Sequence, residues 1–156
     1  MRPHSTAITN SQKTVFLSAR SEGMPHALSI RTMGKTLRIL AVDNEPSVTH
    51  ILGYLFPRPG YQVTAVARGE DALATLTAAP DEFDILIVDQ KMPDLVGTEL
   101  VKALRDRGLT TKIIVLSAHL SYDVRQAFEN LNVKAMLNKP FDIDEMRTAV
   151  GALAVA

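Results

Sequence analysis

From Leu37 to Val42 the chain is apolar at every position except Arg38. A run that short and that unbroken suits a strand covered on both faces, because a strand with one wet face would alternate apolar and polar residues. Pro46 then opens a helix at a position where the missing N–H costs nothing. Val48, Ile51, Leu52 and Leu55 follow at the spacing of one buried helix face. Pro57, Pro59 and Gly60 end that helix. The same alternation repeats down the chain. Strands are predicted over residues 61–66, 83–88, 113–116 and 133–137. Helices are predicted over 70–79, with Ala72, Leu73 and Leu76 inward, and over 98–107, with Leu100, Val101 and Leu104 inward and Gly108 as the stop. Ser121 is placed to cap a fourth helix carrying Val124, Phe128 and Leu131. Asp142 and Glu145 have the spacing of a capping box for a last helix, whose stripe is Ile143, Met146, Val150 and Leu153.

Five strand–helix pairs with no hairpin turn between strands imply an α/β fold, a parallel sheet with helices on both faces. Residues 1–33 break from this pattern. They are rich in Ser, Thr, Arg and His, and Glu22 is their only acid. We expect residues 1–36 to be a disordered extension or the product of a start codon taken too early, since Met33-Gly34-Lys35-Thr36 leads straight into the first strand. The expected domain is 37–154, and the chain stops just after its last helix, so no second domain is expected.

Composition narrows the function classes. The 156 residues carry a formal net charge of +0, which gives no global electrostatic reason to bind nucleic acid or an anionic membrane. There is no cysteine, which removes disulfides, thiolate metal sites and cysteine nucleophiles. No apolar run nears the roughly 20 residues that span a bilayer. The expected location is cytoplasmic.

In open parallel sheets, ligands bind beyond the carboxyl ends of the strands. The predicted strand ends carry Asp43, Asn44 and Glu45, then Asp89, then Ser117, then Asn138 and Lys139. Carboxylates, a hydroxyl and an ammonium thus share one edge. Carboxylates are hard oxygen ligands of the kind Mg²⁺ takes. A carboxylate can also attack phosphorus and form an acyl phosphate. Lysine and serine can neutralise and bind the transferred group, and phosphoryl transfer asks for little else.

Four motifs in order carry a resemblance: Val42-Asp43-Asn44-Glu45-Pro46; Asp89-Gln90-Lys91-Met92-Pro93-Asp94 with Gly97; Ser117-Ala118; and Lys139-Pro140-Phe141. From Leu37 to about Leu153 the chain resembles the receiver domains of two-component response regulators. The resemblance implies a five-stranded flavodoxin-like sheet in the order 2-1-3-4-5. It implies phosphoryl transfer from a histidine kinase or histidine phosphotransfer protein to Asp89, aided by Ser117 and Lys139, and slow self-hydrolysis of the product. It implies Mg²⁺ held by Asp43, Asp89 and the main-chain carbonyl of Lys91, and a cis bond before Pro140. A downstream protein target would be read through the face formed by the fourth helix, fifth strand and fifth helix.

Two residues depart from the family pattern. Asn44 stands where receivers usually carry a second acid, so it is expected to bind Mg²⁺ only weakly. Glu45 falls one residue too late to replace that acid and is expected to lend its charge to the helix N-terminus. Met136 replaces a frequent aromatic switch residue. The alternative function is a degenerate receiver that binds partners without being phosphorylated. An unrelated small α/β enzyme is disfavoured by the absence of a Gly-rich phosphate loop or a nucleophile elbow.

Overall fold

Strand and helix alternate without exception in a computed structural model that describes residues 34–155. Expectations about the N-terminal extension fall almost wholly on residues 1–33, outside the described residues. The elements are β1 (Leu37–Val42), α1 (Pro46–Leu55), β2 (Tyr61–Val66), α2 (Gly69–Ala78), β3 (Ile85–Asp89), α3 (Gly97–Asp106), β4 (Lys112–Ser117), α4 (Tyr122–Asn130), β5 (Ala135–Asn138) and α5 (Ile143–Val155). The strands form one parallel sheet in the order β2-β1-β3-β4-β5, as expected.

Because side chains alternate along a strand, each central strand feeds two apolar layers. Leu40, Val42, Leu86, Val88, Ile113 and Val115 face one way, onto Ala72 and Leu76 of α2, Leu100, Val101 and Leu104 of α3 and Phe128 of α4. Ile39, Ala41, Ile85, Ile87, Ile114 and Leu116 face the other way, onto Leu52 and Phe56 at α1 and Met146 and Val150 of α5. Burial on both faces is what the unbroken apolar runs encode.

Three details correct the pattern reading. β3 starts at Ile85, not at Phe83, because the Asp84 carboxylate accepts the Arg38 N–H at 2.8 Å while the Asp84 N–H donates to the Arg38 carbonyl. β5 starts at Ala135, because the Val133 N–H donates to the Phe128 carbonyl and closes the end of α4, with Asn132 at φ 63. Asn is among the few residues that adopt this left-handed turn readily. Ile51, expected in the core, is 45% exposed, because the buried face of α1 centres on Leu52 and on Phe56 just past its end.

The caps behave as the residue types require. Ser121 Oγ accepts the Val124 N–H at 3.2 Å. One Asp142 oxygen accepts the Asp144 and Glu145 N–H groups at 2.8 and 3.0 Å.

Candidate functional site

The strand ends meet as the sequence predicts. Asp43 follows β1, Asp89 ends β3, Ser117 ends β4 and Lys139 follows β5. Asp43, Asp89 and Ser117 are the polar side-chain residues buried among the described residues. The sheet register brings them together, since Val88 lies opposite Val42 and Ser117 lies opposite Asn138.

Lys139 is the hub. Its Nζ lies 2.7 Å from Glu45 Oε1, 3.0 Å from Asp43 Oδ2 and 3.3 Å from Asp89 Oδ2. Two of its three N–H donors are hydrogen-bonded, to Asp43 and Glu45, and Asp89 adds a third ion pair. Burial works against its charge, but the hydrogen bonds to Glu45 and Asp43 and the charges of Asp43 and Asp89 prevail and hold its pKa above the ordinary lysine range. Asp89 shifts the other way from a normal carboxylate, upward. Burial is the main cause and the Asp43 charge adds to it, while Lys139 and the Lys91 N–H offset part of the rise. That N–H donates to Asp89 Oδ1 at 3.3 Å.

Ser117 is reached but turned aside. Its Oγ donates to the His119 carbonyl and accepts the His119 N–H, each at 3.1 Å. The Ser117 carbonyl accepts the Lys139 N–H at 2.9 Å, which ties the β5 end to the β4 end. The Lys139–Pro140 bond is cis, as the resemblance implied.

Behind Asp89 the chain is fixed by Gln90. Its carbonyl accepts the Gly97 N–H at 2.8 Å and its side-chain oxygen accepts the Thr98 N–H at 2.9 Å. In front of the acids lies an open groove of about 1260 Å³, lined by Asn44, Glu45, Asp89, Lys91, Ser117 and Lys139 on its polar side. Val48, Ile51, Met92, Val96, Phe141 and Ile143 line it on the apolar side.

The comparisons with known proteins agree with this arrangement. A family model described as the response regulator receiver domain matches residues 39–151. The chain belongs to the response regulator receiver family. This receiver is 32% identical over 113 residues to Sporulation initiation phosphotransferase F of Bacillus subtilis (strain 168), covering 72% of this chain and 90% of that protein. It is 30% identical over 118 residues to Transcriptional regulatory protein TcrA of Mycobacterium tuberculosis, covering 76% of this chain but 46% of that protein. The receiver therefore spans about half the length of several curated relatives it matches. Among solved structures, chemotaxis protein CheY4 of Vibrio cholerae aligns with a TM-score of 0.68 at 29% identity, over 76% of this chain and 98% of that one. The signal receiver domain of a putative Luxo repressor protein from Vibrio parahaemolyticus aligns with a TM-score of 0.71 over 77% of this chain and 91% of that one, but at 22% identity it speaks for the fold alone.

The structure adds a role to two acids. Glu45 stands at the N-cap of α1, makes no side-chain cap hydrogen bond there, and accepts from Lys139. Its carboxylate joins those of Asp43 and Asp89 in a set whose oxygens lie within 4.8 Å of one another. Asn44 is exposed. Asp94, present in the motif but given no role from sequence, accepts the Gly69 and Glu70 N–H groups at 3.2 and 2.9 Å and so caps α2 from the loop after β3. Those hydrogen bonds, chiefly the one from Glu70, win over partial burial and hold the Asp94 carboxyl below the usual range. Met136 is half-buried against the layer of α2, α3 and α4.

Proposed function

We propose that Asp89 accepts a phosphoryl group and that the domain, residues 37–154, works as a phosphorylation switch. One observation carries this reading. Asp89 is a buried carboxylate with a raised pKa, ion-paired to Lys139, and it borders an open groove. An Asp89 oxygen attacks phosphorus of a phosphohistidine on a donor protein. The P–N bond breaks and its electron pair returns to the imidazole nitrogen. Lys139, already 3.3 Å from Asp89 Oδ2, neutralises the phosphoryl oxygens, and Ser117 turns from the His119 carbonyl to donate to them.

The donor set of Asp43 and Asp89 has the hard anionic oxygens Mg²⁺ takes, with the Lys91 carbonyl and, weakly, Asn44 to complete it. The ion supplies charge neutralisation on the group in flight.

The donor is a histidine kinase or a histidine phosphotransfer protein. It must deliver its histidine to Asp89, so it must sit on the groove. The exposed Ile51 and Ile143 on the groove wall give it an apolar footing. Lys139 follows β5 directly, so the face of α4, β5 and α5 is the one a downstream protein would read. No nucleic acid or membrane partner is called for, and the site of action is the cytoplasm. Among the described residues, no helix is long and apolar enough to cross a membrane.

Incubation with Mg²⁺ and acetyl phosphate, followed by intact mass, tests the reading. One phosphoryl group per chain is expected, with none on Asp89→Asn. Asn44 favours a second reading, a receiver that binds partners without phosphorylation. No uptake by the wild type would leave that reading standing and sink the first.

A further inference from the structure

We propose that Glu45 is a latch on Lys139, a positioning residue that holds one N–H donor of the ammonium until an incoming phosphoryl group competes for it. The inference rests on the phosphoacceptor reading above and adds a residue to it.

Lys139 makes its shortest contact, 2.7 Å, with the most exposed of its three partners, Glu45, whose side chain is 58% exposed. The two longer contacts go to Asp43 and Asp89, whose side chains are 2% and 5% exposed. The three partners are not equivalent. Asp89 is the group that changes when phosphate is transferred. Asp43 is buried, and parting it from Lys139 would leave an uncompensated charge inside the protein. Glu45 alone can lose the lysine and return to water at small cost. When phosphoryl oxygens appear on Asp89, two of the three N–H donors of Lys139 are committed by hydrogen bonds to Asp43 and Glu45, and the ammonium also pairs with Asp89 at 3.3 Å. A further donor for the phosphoryl oxygens comes from Glu45. Glu45 also lies at the N-terminus of α1, so the latch joins the β5 end to α1 across the site, and phosphate breaks that link.

The exchange needs no covalent step. It lowers phosphoryl affinity by the strength of one exposed ion pair, and it makes release of α1 from Lys139 part of the response.

Beryllofluoride forms a tetrahedral adduct with a carboxylate and stands in for the phosphoryl group. Its affinity, read by ¹⁹F NMR in saturating Mg²⁺, tests the latch in a double-mutant cycle. Glu45→Gln should raise affinity about two- to fivefold in the wild-type background, the range of an exposed ion pair. In a Lys139→Ala background the same change should have a clearly smaller effect. Glu45→Asp keeps the charge but shortens the side chain by one methylene. It should also raise affinity, and it gives an answer even if Lys139→Ala does not fold. An equal gain in both backgrounds, or no gain with Glu45→Asp, would mean that Glu45 acts only through its charge, and the latch would be overturned. No beryllofluoride binding by the wild type would overturn the phosphoacceptor reading, and the latch with it.

Discussion

Asp89 sits where its own charge is disfavoured. Burial and the neighbouring Asp43 raise its pKa, and Lys139 recovers only part of the cost. The folded state therefore binds this proton more tightly than the unfolded chain does. The stabilisation is full below the unfolded carboxylate pKa of about 3.9 and is lost as pH rises through the higher folded value. At neutral pH the ionised carboxylate is a burden on the fold. Asp89→Asn, which is neutral and of similar shape, should raise the melting temperature while abolishing phosphate uptake; a lower melting temperature would contradict the assigned cause. Asp94 has the opposite sign. Its pKa is lowered by the α2 N–H groups, so its contribution is present above the unfolded pKa and fades as pH falls through the lower folded value. Asp94→Ala should cost about 1 kcal/mol in urea unfolding at pH 7, the usual loss for a helix cap, and less at strongly acid pH. Residue roles were unevenly legible in the sequence. Asp43, Asp89, Ser117 and Lys139 could be placed because each stands at a strand end, and the fold rule brings strand ends together. The Asp94 capping role could not, because its hydrogen-bond partners lie 24 and 25 positions away in the chain. Glu45 stands at the helix N-terminus as read, but its contact with Lys139 was missed, because register along one strand says nothing of a lysine 94 residues further on.

At the scale of elements, the loop from β3 to α3 sets the aim of Asp89. A Cβ on Gly97 would lie 2.7 Å from Gln90 Oε1, 2.9 Å from Gln90 Cα and 3.1 Å from the Asp89 carbonyl. Two of those atoms are backbone and cannot swing aside. Gly97→Ala should therefore destabilise the fold by roughly 1–3 kcal/mol, as overpacking does. It should also slow phosphate uptake from acetyl phosphate, because the shift falls on Asp89, the proposed nucleophile; a variant with wild-type stability and rate would show that the loop yields freely. Helix α1 makes a second case. Ile51 on the groove wall should matter to a protein donor and not to a small one. Ile51→Lys should cut phosphoryl transfer from the cognate donor about tenfold, the effect of losing one buried apolar anchor worth about 1.5 kcal/mol, and leave uptake from acetyl phosphate within twofold. Equal loss with both donors would mean that the site itself had been damaged. Helical periodicity placed Ile51 on the inner face of α1 because it counts positions without knowing where the helix lies on the sheet. Phe56 takes the core position instead, just beyond the last turn. The starts of β3 and β5 were misplaced for a related reason. Phe83 and Val133 are apolar, but one packs from a loop and the other closes a helix end.

For the whole molecule, the same sheet that builds two apolar layers also gathers charge at one edge. The layers are fixed by side-chain alternation in β1, β3 and β4, and that alternation leaves Asp43 and Asp89 at the ends of adjacent strands, facing Lys139. The strand order was legible through the family resemblance, whereas the apolar pattern alone gave only the layered architecture. The central claim is that this edge makes an acyl phosphate at Asp89, and the chemistry of that bond offers a direct test. Borohydride reduces an aspartyl phosphate to homoserine and leaves free carboxylates untouched. The protein, phosphorylated with acetyl phosphate in Mg²⁺, should yield homoserine at position 89 when reduced and mapped by peptide mass spectrometry, and at no other acid. Homoserine at Asp43, a reduced glutamate at Glu45, or retained phosphate with no reduced residue at all would contradict the account.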